Sequence, residues 1–181
     1  MTDAPFPELT TPRLRLRALT EADAPAYRAL LHLPEVTRFT NRVVAPDEQQ
    51  ALKTVRNMME LWRAGAGCAW RIEEASGSFV GVIRYNYFNK WARCGGIGYE
   101  AHPDFWGRGV MTETVRAVVQ WGHGWFDLNR IEAWTVPGNP GSDRVLEKAG
   151  FRLEGVQRQK AFFHDELRDC RLFGRLAADP L

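Results

Sequence analysis

No apolar run in this chain approaches the ~18 residues of a membrane-spanning helix, and the opening MTDAPFPELTTPRLRLR has no apolar stretch like that of a secretory signal. Cysteine is scarce. Cys68, Cys94 and Cys170 are odd in number, far apart and form no CxxC pair. That speaks against a disulfide framework or a zinc site and predicts three small buried hydrophobes in a reducing, cytoplasmic setting. His32, His102, His123 and His164 show no metal-ligand spacing, so no metal is expected. Excess charge is missing as well: the formal net charge is +2, with no basic stripe, which argues against a nucleic-acid partner.

What is present suits a single domain spanning residues 1–181, with 45% apolar and 25% charged residues. RLRLRAL (Arg13 to Leu19) alternates like a strand, and Thr20 is placed to cap a helix running to about Leu31, with Glu21 and Asp23 at its positive end. Pro34 is expected to end that segment. After Pro46, Leu52, Val55, Met58, Met59 and Trp62 repeat at helical spacing until Gly65 and Gly67 stop them. CAWRIEE and SFVGVIRYNYF flank the turn signal Ser76-Gly77 and predict a hairpin, followed by a glycine-rich strand from Cys94 to His102. The longest helical pattern runs from Val110 to Phe126. A strand (Arg130 to Val136), a short helix (Ser142 to Lys148) and a closing hairpin around His164 and Asp165 complete the order. The expected class is α+β: a mixed, mostly antiparallel sheet of about seven strands flanked by about four helices.

Gly107 and Gly109 stand immediately before the long helix, in PDFWGRGVMTE. A helix start carries backbone N–H groups with no intrahelical partner and a partial positive charge. Two residues without side chains let an anion approach those groups. Arg108 could add a charge and Thr112 a hydroxyl. A plain strand-to-helix connection is the alternative. GxxxxGK[ST] is absent, and Thr112 stands where GxGxxG needs its third glycine, so neither a nucleotide triphosphate nor NAD is indicated.

IGYEAHPDFWGRGVMTE, then RIEAWTVPGNPGSDRVLEKAGFRLEG, resembles the GNAT superfamily of acyl-CoA-dependent N-acetyltransferases. TPRLRLRALTEAD is similar to the first strand and helix of its Rim-type group, which acetylates protein N-termini, and the resemblance runs from about Leu9 to Leu176. It implies a GNAT-like fold and acetyl-CoA as cosubstrate, with no metal. In the family loop Q/R-x-x-G-x-G/A, Trp106 takes the first position, Gly109 the central glycine and Met111 the last, so two defining positions depart. The resemblance implies that Trp106, Gly107, Arg108, Gly109, Val110, Met111 and Thr112 hold the pyrophosphate of coenzyme A. Tyr99, Glu100 and Ala101, on a strand that splays from its neighbour, would offer backbone groups to the pantetheine arm and the thioester.

The resemblance also frames the catalytic candidates. Asn139 matches a motif asparagine, but the tyrosine acid of many members is replaced by Leu146. Ser142 stands where Rim-type enzymes carry a serine proposed to serve the leaving thiolate; its alternative role is to cap the short helix while Asn139 shapes the turn. The Rim-type glutamate of the penultimate strand would fall near Ala161. Glu100 and His102 share a strand face and could relay a proton from the amine through water; for Glu100 the alternative is an ion-paired strand residue. Glu113 is assigned to helix capping and dipole compensation, and Asp169 to a structural role. Phe39, Tyr85, Tyr87, Phe88, Trp91, Phe162 and Phe163 could wall the acceptor groove or serve the core.

The expected activity is acetyl transfer from acetyl-CoA to a primary amine, on a protein N-terminus or a small molecule, by direct attack in a ternary complex. A catalytically silent acyl-CoA-binding or regulatory module is the alternative. The acceptor and the oligomeric state stay open, a homodimer among the options.

Overall fold

In this computed structural model, which describes residues 4–40 and 42–180, the alternating segments become strands of one sheet and the 3.6-residue patterns become the helices that cover it. The chain runs β1 (Leu9–Thr10), β2 (Leu14–Ala18), α1 (Ala24–Leu31), α2 (Pro34–Thr37) and α3 (Glu48–Arg63). Next come β3 (Cys68–Glu74), β4 (Phe79–Asn89), β5 (Cys94–Ala101), α4 (Val110–Gly124), β6 (Arg130–Thr135), α5 (Pro140–Lys148), β7 (Arg152–Phe163) and β8 (Glu166–Leu176). The described strands form an eight-stranded sheet in the order β1-β2-β3-β4-β5-β6-β8-β7. Every neighbouring pair is antiparallel except β5–β6. The α+β class and the expected order hold, with β1 and α2 as additions.

Three helix starts differ from the sequence reading. A short 3-10 turn, Glu21–Asp23, precedes α1, which begins at Ala24 with Pro25 in its first turn. Asp23 is buried, and its carboxylate accepts from Arg17 and Arg71, tying this turn to β2 and β3. Pro34 does not only end a segment. It opens α2, since the N–H that proline lacks has no partner in a first turn anyway. The short helix α5 begins at Pro140 rather than Ser142, capped by Asn139, whose Oδ1 accepts the Ser142 N–H at 3.2 Å.

The sheet sorts its residues by parity. On β3, Cys68, Trp70 and Ile72 join the core under α4, while Ala69 joins the core under α1 and α3. Val115 and Val118 of α4 are fully buried in the first of these. Each such aliphatic side chain stabilises the fold by about 1.5–3 kcal/mol. The periodic face of α4 is buried as expected from Val110 to Gly122, but the helix ends at Gly124 and leaves Trp125 57% exposed. All three cysteines are buried and free.

One irregularity positions everything that follows. β5 and β6 are paired only at Cys94–Arg130, Gly95–Ile131 and Gly96–Glu132, although β5 continues to Ala101 and β6 to Thr135. The sheet therefore opens at the carboxyl ends of its two parallel strands, where α4 and α5 begin on either side. No described helix is long and apolar enough to cross a membrane.

Candidate active site

The opening between β5 and β6 holds a cleft of about 520 Å³. One wall is the loop and first turn of α4: Trp106, Gly107, Gly109, Val110, Met111 and Thr112. The other is Asn139 to Ser142 with Arg144, Val145 and Lys148 of α5. Tyr99 to Ala101 form the floor, and Glu35, Val36, Arg38, Phe39 and Thr40 close the far end.

Both loop glycines have left-handed backbone, φ +73° at Gly107 and +75° at Gly109, which explains the residue type. A Cβ at Gly107 would meet nothing within 4 Å, and one at Gly109 only the Arg13 guanidinium at 3.7 Å. Backbone conformation, not crowding, therefore calls for glycine at both positions. Among the described residues no side chain caps α4, and its first backbone bond is donated by Glu113 to the Gly109 carbonyl at 3.1 Å. The N–H groups of Val110, Met111 and Thr112 lie ahead of it, at the positive end of the helix and on the cleft wall. A helix start of this kind offers an anion backbone donors alone.

The floor offers a second set of backbone groups. The His102 N–H donates to the Val80 carbonyl at 2.8 Å, so His102, Glu100 and Gly98 turn their backbone toward β4. Tyr99 and Ala101 turn theirs toward the splay, beyond the last β5–β6 pair. The Trp106 indole donates to the Ala101 carbonyl at 2.9 Å, which leaves Tyr99 as the freer of the two. An extended chain bearing amides can use such an edge as a neighbouring strand would.

A family model described as an acetyltransferase (GNAT) domain matches residues 13–152. The chain belongs to the GNAT acetyltransferases. An uncharacterized N-acetyltransferase of Bacillus subtilis, YoaA, is 35% identical over 169 residues, covering 93% of this chain and 96% of the relative. A ribosomal-protein-serine acetyltransferase of Escherichia coli is 26% identical over 129 residues, covering 71% and 72%. Among solved structures, a RimL ribosomal alpha-N-protein acetyltransferase in complex with coenzyme A shares the fold with a TM-score of 0.83 at 22% identity, covering 92% of this chain and 95% of that one.

Within this GNAT cleft the remaining sequence candidates separate. Ser142 lines the wall; its Oγ lies 2.8 Å from the Tyr99 Oη. Its alternative role as cap falls to Asn139. Next to it, buried Asp143 accepts from Thr135 Oγ1 at 2.6 Å and pairs with Arg171 at 3.0 Å, pinning the first turn of α5 to β6 and β8. Burial pushes the Tyr99 phenol up, against the hydrogen bond with Ser142, so it stays protonated at neutral pH.

Glu100 reaches the cleft but is already engaged. Arg84 holds both of its carboxylate oxygens, at 2.6 and 2.9 Å, and Arg42 lies 3.6 Å from Oε1. Burial alone would raise the Glu100 carboxyl; the charges and hydrogen bonds of Arg84 and Arg42 outweigh it and hold it below the usual range. A carboxylate so paired is a poor proton acceptor. Gly98 makes the pair feasible, since the Arg84 guanidinium lies across it, 3.3 Å from where a Cβ would stand. His102 does not line the cleft; its Nδ1 accepts the Asp104 N–H at 3.3 Å.

Arg108 does not line the cleft either. Its guanidinium sits over the Phe105 ring at 5.2 Å and lies 3.4 Å from Glu74. Glu113 is not the helix cap expected of it. Its carboxylate accepts from Thr11 Oγ1 and Arg13 Nε, each at 2.6 Å, while Arg13 also donates to the Arg108 carbonyl at 3.0 Å. The corner before β2 thus fastens the glycine loop from behind. Asp169 is structural: its Oδ1 accepts the Gln159 N–H at 2.8 Å across a bulge in β7.

Of the seven aromatics considered for the acceptor wall, Phe39 lines the cleft. Tyr85 is core, Phe88 stacks on Phe126 at 4.1 Å, Tyr87 donates to Glu132, and Trp91 is 95% exposed on the β4–β5 turn. Phe162 is exposed, and the Phe163 side chain lies outside the described residues. Sequence reasoning missed Glu35, Val36, Arg38 and Thr40. The signal was Pro34, which marks a first helical turn as readily as a stop.

Proposed function

We propose that this chain transfers the acetyl group of acetyl-CoA to a primary amine by direct attack in a ternary complex, in the cytoplasm. The observation that carries the reading is the start of α4: a core helix left without a side-chain cap among the described residues, opened by two left-handed glycines that lie on the cleft wall. The N–H groups of Val110, Met111 and Thr112 would hold the pyrophosphate, and the free edge at Tyr99 the pantetheine arm. Acetyl-CoA supplies the activated acyl group. Ser142 meets the sulfur with its hydroxyl, and the amine enters from the α2 end, past Phe39 and Thr40.

No cleft residue is needed as a strong base. Glu100 serves as the buried counter-charge of Arg84, and the amine reacts in its neutral form. A protein N-terminus suits this best, because an α-amino group loses its proton near pH 7.7–8.0, about two units below a lysine. The name of the Escherichia coli relative supports the same acceptor class.

The test is thiol release from acetyl-CoA with peptides beginning in Ser, Ala or Met, set against spermidine, free amino acids and an aminoglycoside. We expect turnover with at least one peptide, and kcat/KM rising with pH up to the pKa of its amine. Coenzyme A binding with no amine acetylated would leave only a silent acyl-CoA-binding module.

A further inference from the structure

The leaving thiolate of a thioester needs a proton, and α5 brings no phenol to supply it. Position 146 is Leu146, 1% exposed and packed in the core. A phenol nevertheless reaches the same place from across the splay. Tyr99, on β5, puts its Oη 2.8 Å from Ser142 Oγ and 3.4 Å from the Ser142 carbonyl oxygen. Ser142 is held from its other side by Asn139 through its own N–H, and by the adjacent Asp143, fixed between Thr135 and Arg171.

A hydroxyl has one proton to give. When the Tyr99 Oη–H is donated to Ser142 Oγ, the Ser142 Oγ–H is released to point into the cleft. We propose that Tyr99 is a positioning residue that acts through Ser142, the two hydroxyls forming a relay that directs a proton to the departing coenzyme A sulfur. This rests on the acetyl-transfer reading above. The amine nitrogen bonds to the carbonyl carbon, and the C–S bond breaks with its electron pair on sulfur. Ser142 Oγ–H passes its proton to sulfur, and Tyr99 Oη–H replaces it. The proton shed by the acylated nitrogen returns to Tyr99 through solvent, so one amine and one thioester give one amide and one thiol. A serine hydroxyl alone is a weak acid; a second hydroxyl that hydrogen-bonds its oxygen strengthens it as a donor. The relay therefore places on a strand the phenol that Leu146 removes from the helix.

The experiment compares wild type, Tyr99→Phe, Ser142→Ala and the double variant, with thermal unfolding as the check that each is folded. Tyr99→Phe should lower kcat by about tenfold or more with KM for acetyl-CoA little changed. The double variant should lose little more than Ser142→Ala alone, because the two hydroxyls act as a unit. A second readout needs no acceptor: the thiol of bound coenzyme A, titrated by thiolate absorbance, should have a higher apparent pKa in either single variant than in wild type. A folded Tyr99→Phe with kcat within about twofold of wild type, losses that add in the double variant, or a bound thiol pKa that does not move would overturn the relay. Wild-type protein that binds coenzyme A and acetylates nothing would remove the acetyl-transfer reading instead, and the thiol titration would still decide whether the hydroxyl pair addresses the sulfur.

Discussion

The two helices that begin at the cleft treat their first turns in opposite ways. α4 starts at Gly109 with no side-chain cap and leaves its leading N–H groups on an open surface. α5 is capped by the Asn139 side chain, and Asp143 in its first turn is bonded on both oxygens. The floor repeats the contrast. The Tyr99 backbone faces an unpaired edge, while the Glu100 carboxylate beside it is saturated by arginines. Backbone N–H groups left open at the positive end of a helix are met by water until an anion displaces it. Satisfied side chains cost little and stay where they are put. On the acetyl-transfer reading proposed above, one set of groups receives a ligand and the other holds a few atoms still while it reacts.

The sharpest way to break that comparison is Gly109→Val. The φ of +75° is strained for a β-branched residue, and its side chain would grow toward the Arg13 guanidinium that fastens the loop, so the backbone that bares the helix start must shift. Coenzyme A affinity should fall about 100-fold or more by calorimetry, with the protein still folded. Unchanged affinity would mean that the loop is an ordinary connection.

Glu100→Gln comes second, and it tests the saturated set. It strands the Arg84 guanidinium in the interior, which should cost about 3–5 kcal/mol of stability. The sign with pH follows from the depressed carboxyl. Its stabilisation is present above the unfolded carboxylate pKa, about 4.3, and is lost as pH falls through the lower folded value. The gap in melting temperature between wild type and variant should therefore be full at pH 7 and close in acid. The folded fraction should keep kcat within about threefold. A 100-fold loss of kcat with an unmoved melting temperature would return Glu100 to the role of proton acceptor.

That reversal shows which parts of the site a sequence displays. The glycine pair and the order of elements were legible because each rests on local geometry: a turn before a helix, a period. The partner of Glu100 was not. Arg84 sits on a neighbouring strand, where Val82 and not Arg84 stands directly opposite Glu100, and the diagonal contact depends on a register that shifts between Tyr85 and Tyr87. Tyr99 and Ser142 likewise meet only because β5 and β6 part after Gly96. The aromatics read as acceptor wall or core divide between the two and a third place, because nothing local decides it: Tyr85 is core within the interlocked set of Trp62, Trp70 and Trp121, Phe39 lines the cleft, and Tyr87, Trp91 and Phe162 are exposed.

Asn139→Ala should produce a smaller effect that separates the two helix starts. Losing an N-cap costs about 1 kcal/mol, and it frees the N–H of Ser142. Coenzyme A affinity, held by the other helix, should stay within about twofold, while kcat falls several-fold as Ser142 loses its anchor. An affinity loss as large as that of Gly109→Val would mean that both walls bind the cofactor equally.

The smallest expected effect is the most discriminating about how the anion is held. Arg108 stands between the two glycines, so a side-chain contact to phosphate is the obvious assumption. Its guanidinium is instead spent on Phe105, on Glu74 and on the Asp104 carbonyl at 3.4 Å. It contributes to the field over the loop only as one exposed charge screened by salt and by a carboxylate. Arg108→Ala should therefore weaken coenzyme A by less than about threefold at 0.15 M salt, and by somewhat more at 0.01 M, where the Debye length grows from about 8 to 30 Å. A tenfold loss at 0.15 M would show the guanidinium leaving Glu74 to bond the pyrophosphate directly. The open helix start would then be half of the anion site, and the glycines would serve to let that arginine turn as much as to bare the backbone.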